Sequence, residues 1–260
     1  MTPNKKIDIH THPGFPPEHA GKIISFMDDH AVEKIVALGS TRHDDSDQRI
    51  LSLLDSAPER VIGGPYYDPR DPESVERLDE MHSAGCRIVK LFPNLGYYPD
   101  DERFLPFFER ATELGMGILS HCGWLGLKGV SSSKYARPSR FEALFRRFPD
   151  TLFIMAHMGG IDGFLEAIMY STRTPNVYLD TTPGQSYWVF KHAAEMVRGM
   201  PAERLLMGTD GIQPVTHDWD CSKQYDRIAA ALEMLGWGEH LDDIFYSNAA
   251  RVIEKYALLT

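Results

Sequence analysis

Five side chains able to hold a metal or move a proton stand at the ends of short apolar runs: His10 and His12 in IDIHTH, His121 in GILSH, His157 in FIMAHMGG and Asp210 in MGTDG. Imidazole nitrogen and carboxylate oxygen are donors that zinc takes at about 2.0–2.2 Å, and a catalytic zinc keeps one position open for water. A cation held this way lowers the pKa of water from about 15.7 toward about 7 and polarises a carbonyl, which are the two needs of hydrolysis at neutral pH. In an extended strand residues i and i+2 share a face. The first run therefore predicts that His10 and His12 project inward together with Asp8, while Ile7 and Ile9 face outward against helices. His121 ends an apolar strand at the same level and is read as the third ligand. His157 has the same setting, as a ligand or as a neighbouring acid or base, and the glycines behind it allow close approach of chain or substrate. Asp210 lies on a glycine-flanked turn, where the competing reading is the N-cap of the next helix.

These residues meet only if the chain stacks its strands side by side. Strand-like runs fall at 6–10, 34–38, 61–66, 87–92, 117–121, 152–156, 177–180 and 205–207. Segments with helical spacing follow them at 20–30, 48–57, 72–84, 104–114, 141–148, 163–171, 191–199 and 222–235. Such alternation implies parallel strands with right-handed crossovers. Eight repeats spaced by about 30 residues predict a (β/α)8 TIM barrel, taken as a single domain over residues 1–260. An open doubly wound sheet is the rival, but no GxGxxG turn follows the first strand. In the barrel all five residues fall at carboxyl ends of strands, the face where the loops build active sites. A closing helix is expected over 244–258.

Composition excludes several classes. The 260 residues are 43 % hydrophobic and 25 % charged, ordinary globular values. A formal charge of −10 argues against a nucleic-acid partner, which needs a basic footprint. Cys86, Cys122 and Cys221 are odd in number with no CxxC pair, which suggests neither a disulfide framework nor a thiolate zinc site. Without a leader-like segment or an apolar run of about 18 residues, no membrane partner and a cytoplasmic location are expected. No GxSxG elbow is present, and Cys122 has no activating motif around it, so it reads as a packed thiol. Of the remaining histidines only His43 and His217 fall where a pocket residue would. A homodimer is the default expectation for an enzyme of this size.

The ordered motifs HTH after the first strand, VKLFP, LSHCGW, FIMAHMGG, MGTDG and FYSNAARVIEKYAL resemble the amidohydrolase superfamily, in particular its amidohydrolase-related (amidohydrolase 2) branch of metal-dependent hydrolases and decarboxylases. The likeness runs from about residue 6 to 258 on the same barrel plan. It implies one divalent cation, zinc first and manganese second, held by His10, His12, His121 and Asp210, with His157 close to the substrate. Asp210 would then be the catalytic proton carrier, and His157 would polarise the carbonyl. Superfamily members with two metals bridge them through a carboxylated lysine at the end of strand four, near where Lys90 stands. Since single-metal sites are usual in this branch, Lys90 is expected to be a cation that faces the substrate or stands behind the metal ligands, with pairing to a carboxylate such as Asp8 as the competing reading. Lys90, Trp124 and Arg137 are the expected substrate contacts. Phe92, Tyr97 and Tyr98 could pack on a planar substrate, and the loop cations Arg42, Lys128 and Lys134 could attract a carboxylate-bearing one. The expected reaction is hydrolysis of a C–O or C–N bond in a small lactone, amide or ester. A non-oxidative decarboxylase of aromatic or unsaturated acids, or an inactive binding protein, are the alternatives.

Overall fold

A computed structural model describes residues 1–41, 44–124, 132–211 and 221–259. Among the described residues nine strands form, rich in the aliphatic residues that suit a buried pleated surface: β1 Lys6–Thr11, β2 Val32–Leu38, β3 Val61–Gly64, β4 Tyr66–Tyr67, β5 Ile88–Leu91, β6 Gly117–Ser120, β7 Phe153–Met155, β8 Val177–Asp180 and β9 Leu205–Leu206. Every pairing is parallel and sequential, β1 to β3 in one run and β4 to β9 in another. The strand expected at 61–66 is split because Pro65 has no N–H for the ladder. Pairing continues across the break: the Arg87 N–H donates to the Gly63 carbonyl and the Lys90 N–H to the Pro65 carbonyl, both at 2.9 Å. At the other seam the Ile9 N–H donates to Met207 (3.0 Å), Asp210 to His10 (2.8 Å) and His12 to Gly211 (2.9 Å), which ties the first strand to the segment after the last.

Helices fill the connections: α1 Ala20–Asp29, α2 Ser46–Ser56, α3 Ser74–Ser83, α4 Leu105–Glu113, α5 Glu142–Arg147, α6 Phe164–Arg173, α7 Gln185–His192, α8 Ala194–Arg198, α9 Cys221–Met234 and α10 Asn248–Lys255. The connection expected to hold one helix at 191–199 instead holds α7 and α8, broken at Ala193. The closing segment starts as a π turn, Asp243–Ser247, before α10. Among the described residues no helix is long and apolar enough to cross a membrane.

The apolar interior has two layers. The outer one packs strand residues such as Ile35, Val89, Ile118, Phe153 and Leu179 against the helices. Phe153 meets Phe145 of α5 edge to face at 5.0 Å, and burial of one such ring is worth roughly 1.5–3 kcal/mol. The inner one gathers Val36, Leu38, Ile62, Ile88, Leu119, Ile154 and Leu206 with Val252 and Ile253 of α10. Ile7 and Ile9 belong to this inner layer, which corrects the expected facing of the first strand. Asp8 points the other way, to Tyr225 of α9. His10 nevertheless reaches the interior, because the β1–β2 register shifts between Asp8 and Thr11. The extra residue of this β-bulge breaks the two-residue alternation, so Ile9 and His10 both turn inward.

Candidate metal centre

His10 sits just past that bulge and His12 just past the end of β1, both buried. Each ring is held by its Nδ1. The His10 Nδ1–H donates to Asp180 Oδ2 at 2.8 Å, and the His12 Nδ1–H donates to the Leu38 carbonyl at 3.1 Å. A proton fixed on Nδ1 leaves the lone pair on Nε2, the orientation that metal-binding histidines use, although on His10 the Lys90 Nζ stands 3.1 Å from that atom. Burial, reinforced by the Lys90 ammonium, pushes His10 down to about 3, and burial also lowers His12, so both rings are neutral donors at pH 7. Asp210 enters from a strained position at φ +57°, which a non-glycine residue adopts at a cost. Its Oδ1 lies 3.3 Å from His12 Nε2 and 3.6 Å from His10 Nε2. Its side chain is 31 % exposed by area. Burial works against its charge, but the close approach of His12 and the neighbouring imidazoles outweigh that and hold its carboxyl well below the usual range.

One ligand atom each from His10, His12 and Asp210 lies within 4.8 Å of the others. Ligands at about 2.1 Å in a tetrahedron stand about 3.4 Å apart, and the two carboxylate-to-imidazole edges bracket that value. Two neutral nitrogens and one carboxylate therefore suit a divalent cation in charge, chemistry and spacing.

His121 lies outside that triangle, one ring away. Its Nδ1 is 3.2 Å from His157 Nε2 and its Nε2 is 3.4 Å from the Trp124 carbonyl. His157 and Met158 both have positive φ, 56° and 55°, and this left-handed turn brings His157 back toward the interior, its ring 5.6 Å from that of His10. His157 Nδ1 is 3.0 Å from Thr182 Oγ1, whose hydroxyl makes a very short contact with Asp180 Oδ1. A hydroxyl has one hydrogen. Given to Asp180, it leaves the His157 Nδ1–H to donate to Thr182 and the His121 Nδ1–H to donate to His157; given to His157 Nδ1, it lets the His157 Nε2–H donate to His121 and the His121 Nε2–H donate to the Trp124 carbonyl.

Lys90 is fully buried with its Nζ 3.1 Å from His10 Nε2 and 4.8 Å from the Phe92 ring centroid. Burial lowers it to about 8. Pairing with Asp8 is not what the structure shows: that carboxylate is bonded to Thr209 and Tyr225 outside the strand wall. Phe92 packs against His121 at 5.7 Å and His12 at 6.4 Å. Trp124 is 66 % exposed, and Gln185 grips its backbone from both sides, accepting from its N–H (3.0 Å) and donating to its carbonyl (2.9 Å). Gly123 and Gly160 touch beneath it. A Cβ on Gly160 would come within 2.2 Å of the Gly123 Cα, so glycine is required there. Arg137 is paired with Glu166 of α6, Lys134 stacks over Tyr135, and Tyr97 and Tyr98 pack with Phe104 and Tyr135. Arg42, His43, Lys128 and His217 lie outside the described residues. Cys86 and Cys122 are free and buried, and burial pushes both thiols up.

The sequence reading missed Asp180, Thr182 and Gln185. Asp180 carried a usable signal, since it ends a strand in register with inward-facing Tyr178. Thr182 and Gln185 act through contacts 25 and 61 residues away, and nothing local marks them.

Among solved structures, an uncharacterized TIM-barrel protein from Bordetella bronchiseptica superposes with a TM-score of 0.69 at 17 % identity, covering 97 % of this chain and 99 % of that one. A probable 2-pyrone-4,6-dicarboxylic acid hydrolase from Acinetobacter baumannii, with citric acid bound, gives 0.67 at 15 % identity over 97 % and 99 %. An amidohydrolase from Burkholderia multivorans with bound zinc gives 0.61 at 15 % over 98 % and 100 %. These likenesses establish the TIM-barrel fold. No curated protein matches. A family model described as Amidohydrolase matches residues 36–254, most of the chain, and the chain belongs to that family.

Proposed function

We propose that this protein is a metal-dependent hydrolase that cleaves a C–O or C–N bond of a small lactone, amide or ester at the carboxyl end of its barrel. The observation that carries the reading is the triangle of His10, His12 and Asp210, whose two carboxylate-to-imidazole edges match a tetrahedral cation and whose donors all lie within 4.8 Å of one another. His10, His12 and Asp210 would hold the ion, and His121, which lies outside their group in this structure, would complete the set by turning a ring nitrogen toward it. The zinc in one structural neighbour and the hydrolase name of another support the choice. When bound, the cation supplies Lewis acidity that activates water and polarises the scissile carbonyl.

The chain's own groups supply the rest. Asp210 is ionised at neutral pH and takes the proton from the attacking water, then returns it to the leaving group. In the tautomer whose Nε2 carries the proton, His157, braced by Thr182, turns that N–H from His121 to the carbonyl and stabilises the charge that develops on its oxygen. Lys90 and the face of Phe92 receive an anionic, planar part of the substrate, and Trp124, clamped by Gln185, covers it from the rim. Lys90 also supports a second reading, decarboxylation, because a buried ammonium next to the metal donors is placed to grip a carboxylate. Incubation of the zinc- or manganese-loaded protein with lactones, amides, esters and aromatic acids in 18O-water separates the two. Label in the product supports hydrolysis, CO2 release supports decarboxylation, and neither product from any substrate class would count against both.

A further inference from the structure

Asp8 lies outside the barrel wall, yet it ties together the two segments that carry the metal donors. Its carboxylate is fully buried, and both oxygens are used twice. Oδ1 accepts the His10 N–H at 3.2 Å and the Thr209 N–H at 3.1 Å. Oδ2 accepts the Thr209 hydroxyl at 2.6 Å and the Tyr225 hydroxyl at 3.3 Å. Burial pushes the Asp8 carboxyl up to about 7, with the four donors working against that rise, and the four or so acceptor sites of its ionised form are all filled. One bond reaches the bulge in β1 that turns His10 inward. Two reach Thr209, whose neighbour Asp210 donates its own N–H back to the His10 carbonyl at 2.8 Å. The fourth anchors the assembly to α9.

We propose that Asp8 is a positioning residue of the metal centre: by joining the His10 and Thr209 amides through one oxygen, it fixes the bulge and thereby the separation of His10 Nε2 from Asp210 Oδ1. It touches neither substrate nor ion. A strand without the bulge would keep strict alternation and send His10 to the helix side, as Asp8 is sent. The inference rests on the reading of His10, His12 and Asp210 as cation ligands.

The test is Zn2+ affinity by chelator competition in wild type, Asp8→Leu and Asp8→Asn, with circular dichroism to check the fold. Asp8→Leu removes every acceptor and should bind Zn2+ about 10–100-fold more weakly, the usual cost of losing a group that orients a ligand. Asp8→Asn keeps one oxygen for the two amides and offers its own N–H groups to the two hydroxyls, so it should stay within a few-fold of wild type. A folded Asp8→Leu with wild-type affinity would overturn the inference and leave the cation reading intact. Wild type that takes up no Zn2+ would overturn both. Should Asp8→Leu fail to fold, hydrogen exchange in the metal-free wild type decides. The His10 and Thr209 amides should exchange with the slowest class, and fast exchange at both would contradict the knot.

Discussion

Asp180→Asn changes one atom and should disable the centre by forcing a single proton to move. In wild type, Asp180 Oδ1 accepts the His157 N–H at 2.7 Å, the Thr182 N–H at 3.1 Å and the Thr182 hydroxyl, while Oδ2 accepts the His10 Nδ1–H at 2.8 Å. An asparagine must keep its oxygen on the side with three donors, which places its NH2 against the His10 Nδ1–H. Two donors cannot share that contact, so His10 must shift its proton to Nε2, the atom that faces Asp210. A ring protonated there cannot ligate. The expected loss is about 10–100-fold in Zn2+ affinity. In the metal-free protein the lost charge-assisted bond is worth about 1.5–3 kcal/mol, or roughly 5 °C in Tm for a chain of this size. Burial tends to raise the Asp180 pKa, but His10 and Thr182 outweigh it and the net shift is below 3.8. A depressed carboxylate adds stability above its unfolded pKa and loses it as pH falls through the folded one. Wild type should therefore lose this contribution below about pH 4, and the variant should show no such component. Chelator competition and melting curves against pH measure both, and an Asn variant with wild-type Zn2+ affinity would refute the tautomer argument.

Gln185→Leu removes four hydrogen bonds that join Cys122, Trp124 and Ile161; with some of those groups able to reach water, the loss should be about 2–4 kcal/mol in a urea titration. A loss under 0.5 kcal/mol, the ordinary scatter of surface changes, would show that the amide is not a clamp. In the metal-free protein Lys90, lowered to about 8 from 10.5, is destabilising while charged. Stability should rise between pH 8 and 10.5 by up to about 3 kcal/mol, and Lys90→Met should abolish that rise. On a substrate found by the screen, Asp210→Asn should lower kcat about 10²–10⁴-fold with some metal retained, and an undiminished kcat would remove it as the proton carrier.

The strand-helix alternation was legible because each strand is a short aliphatic run and each crossover has an amphipathic period, as in 117–121 against Gly117–Ser120 and 222–235 against Cys221–Met234. The convergence of His10, His12 and Asp210 followed from placing each at the carboxyl end of its strand. The facing of the first strand did not follow, because alternation holds only without a bulge, and the bulge is set by Asp8 contacts to residues more than 200 positions away. Likewise, His157 turns inward through positive φ at a non-glycine residue, a strained state that its residue type does not announce. The split at Pro65 was visible in principle, since proline cannot donate to a ladder. The bond from Arg137 to Glu166 shows why loop cations are poor guides to a pocket. An exposed arginine takes the nearest carboxylate, and that partner lies on another element.

A zinc-edge anomalous diffraction map of crystals grown with Zn2+ tests the central claim most directly. One strong peak is expected about 2.0–2.2 Å from Nε2 of both His10 and His12 and from an Asp210 oxygen. A map with no peak between those three side chains, from protein that binds zinc elsewhere or not at all, would contradict it.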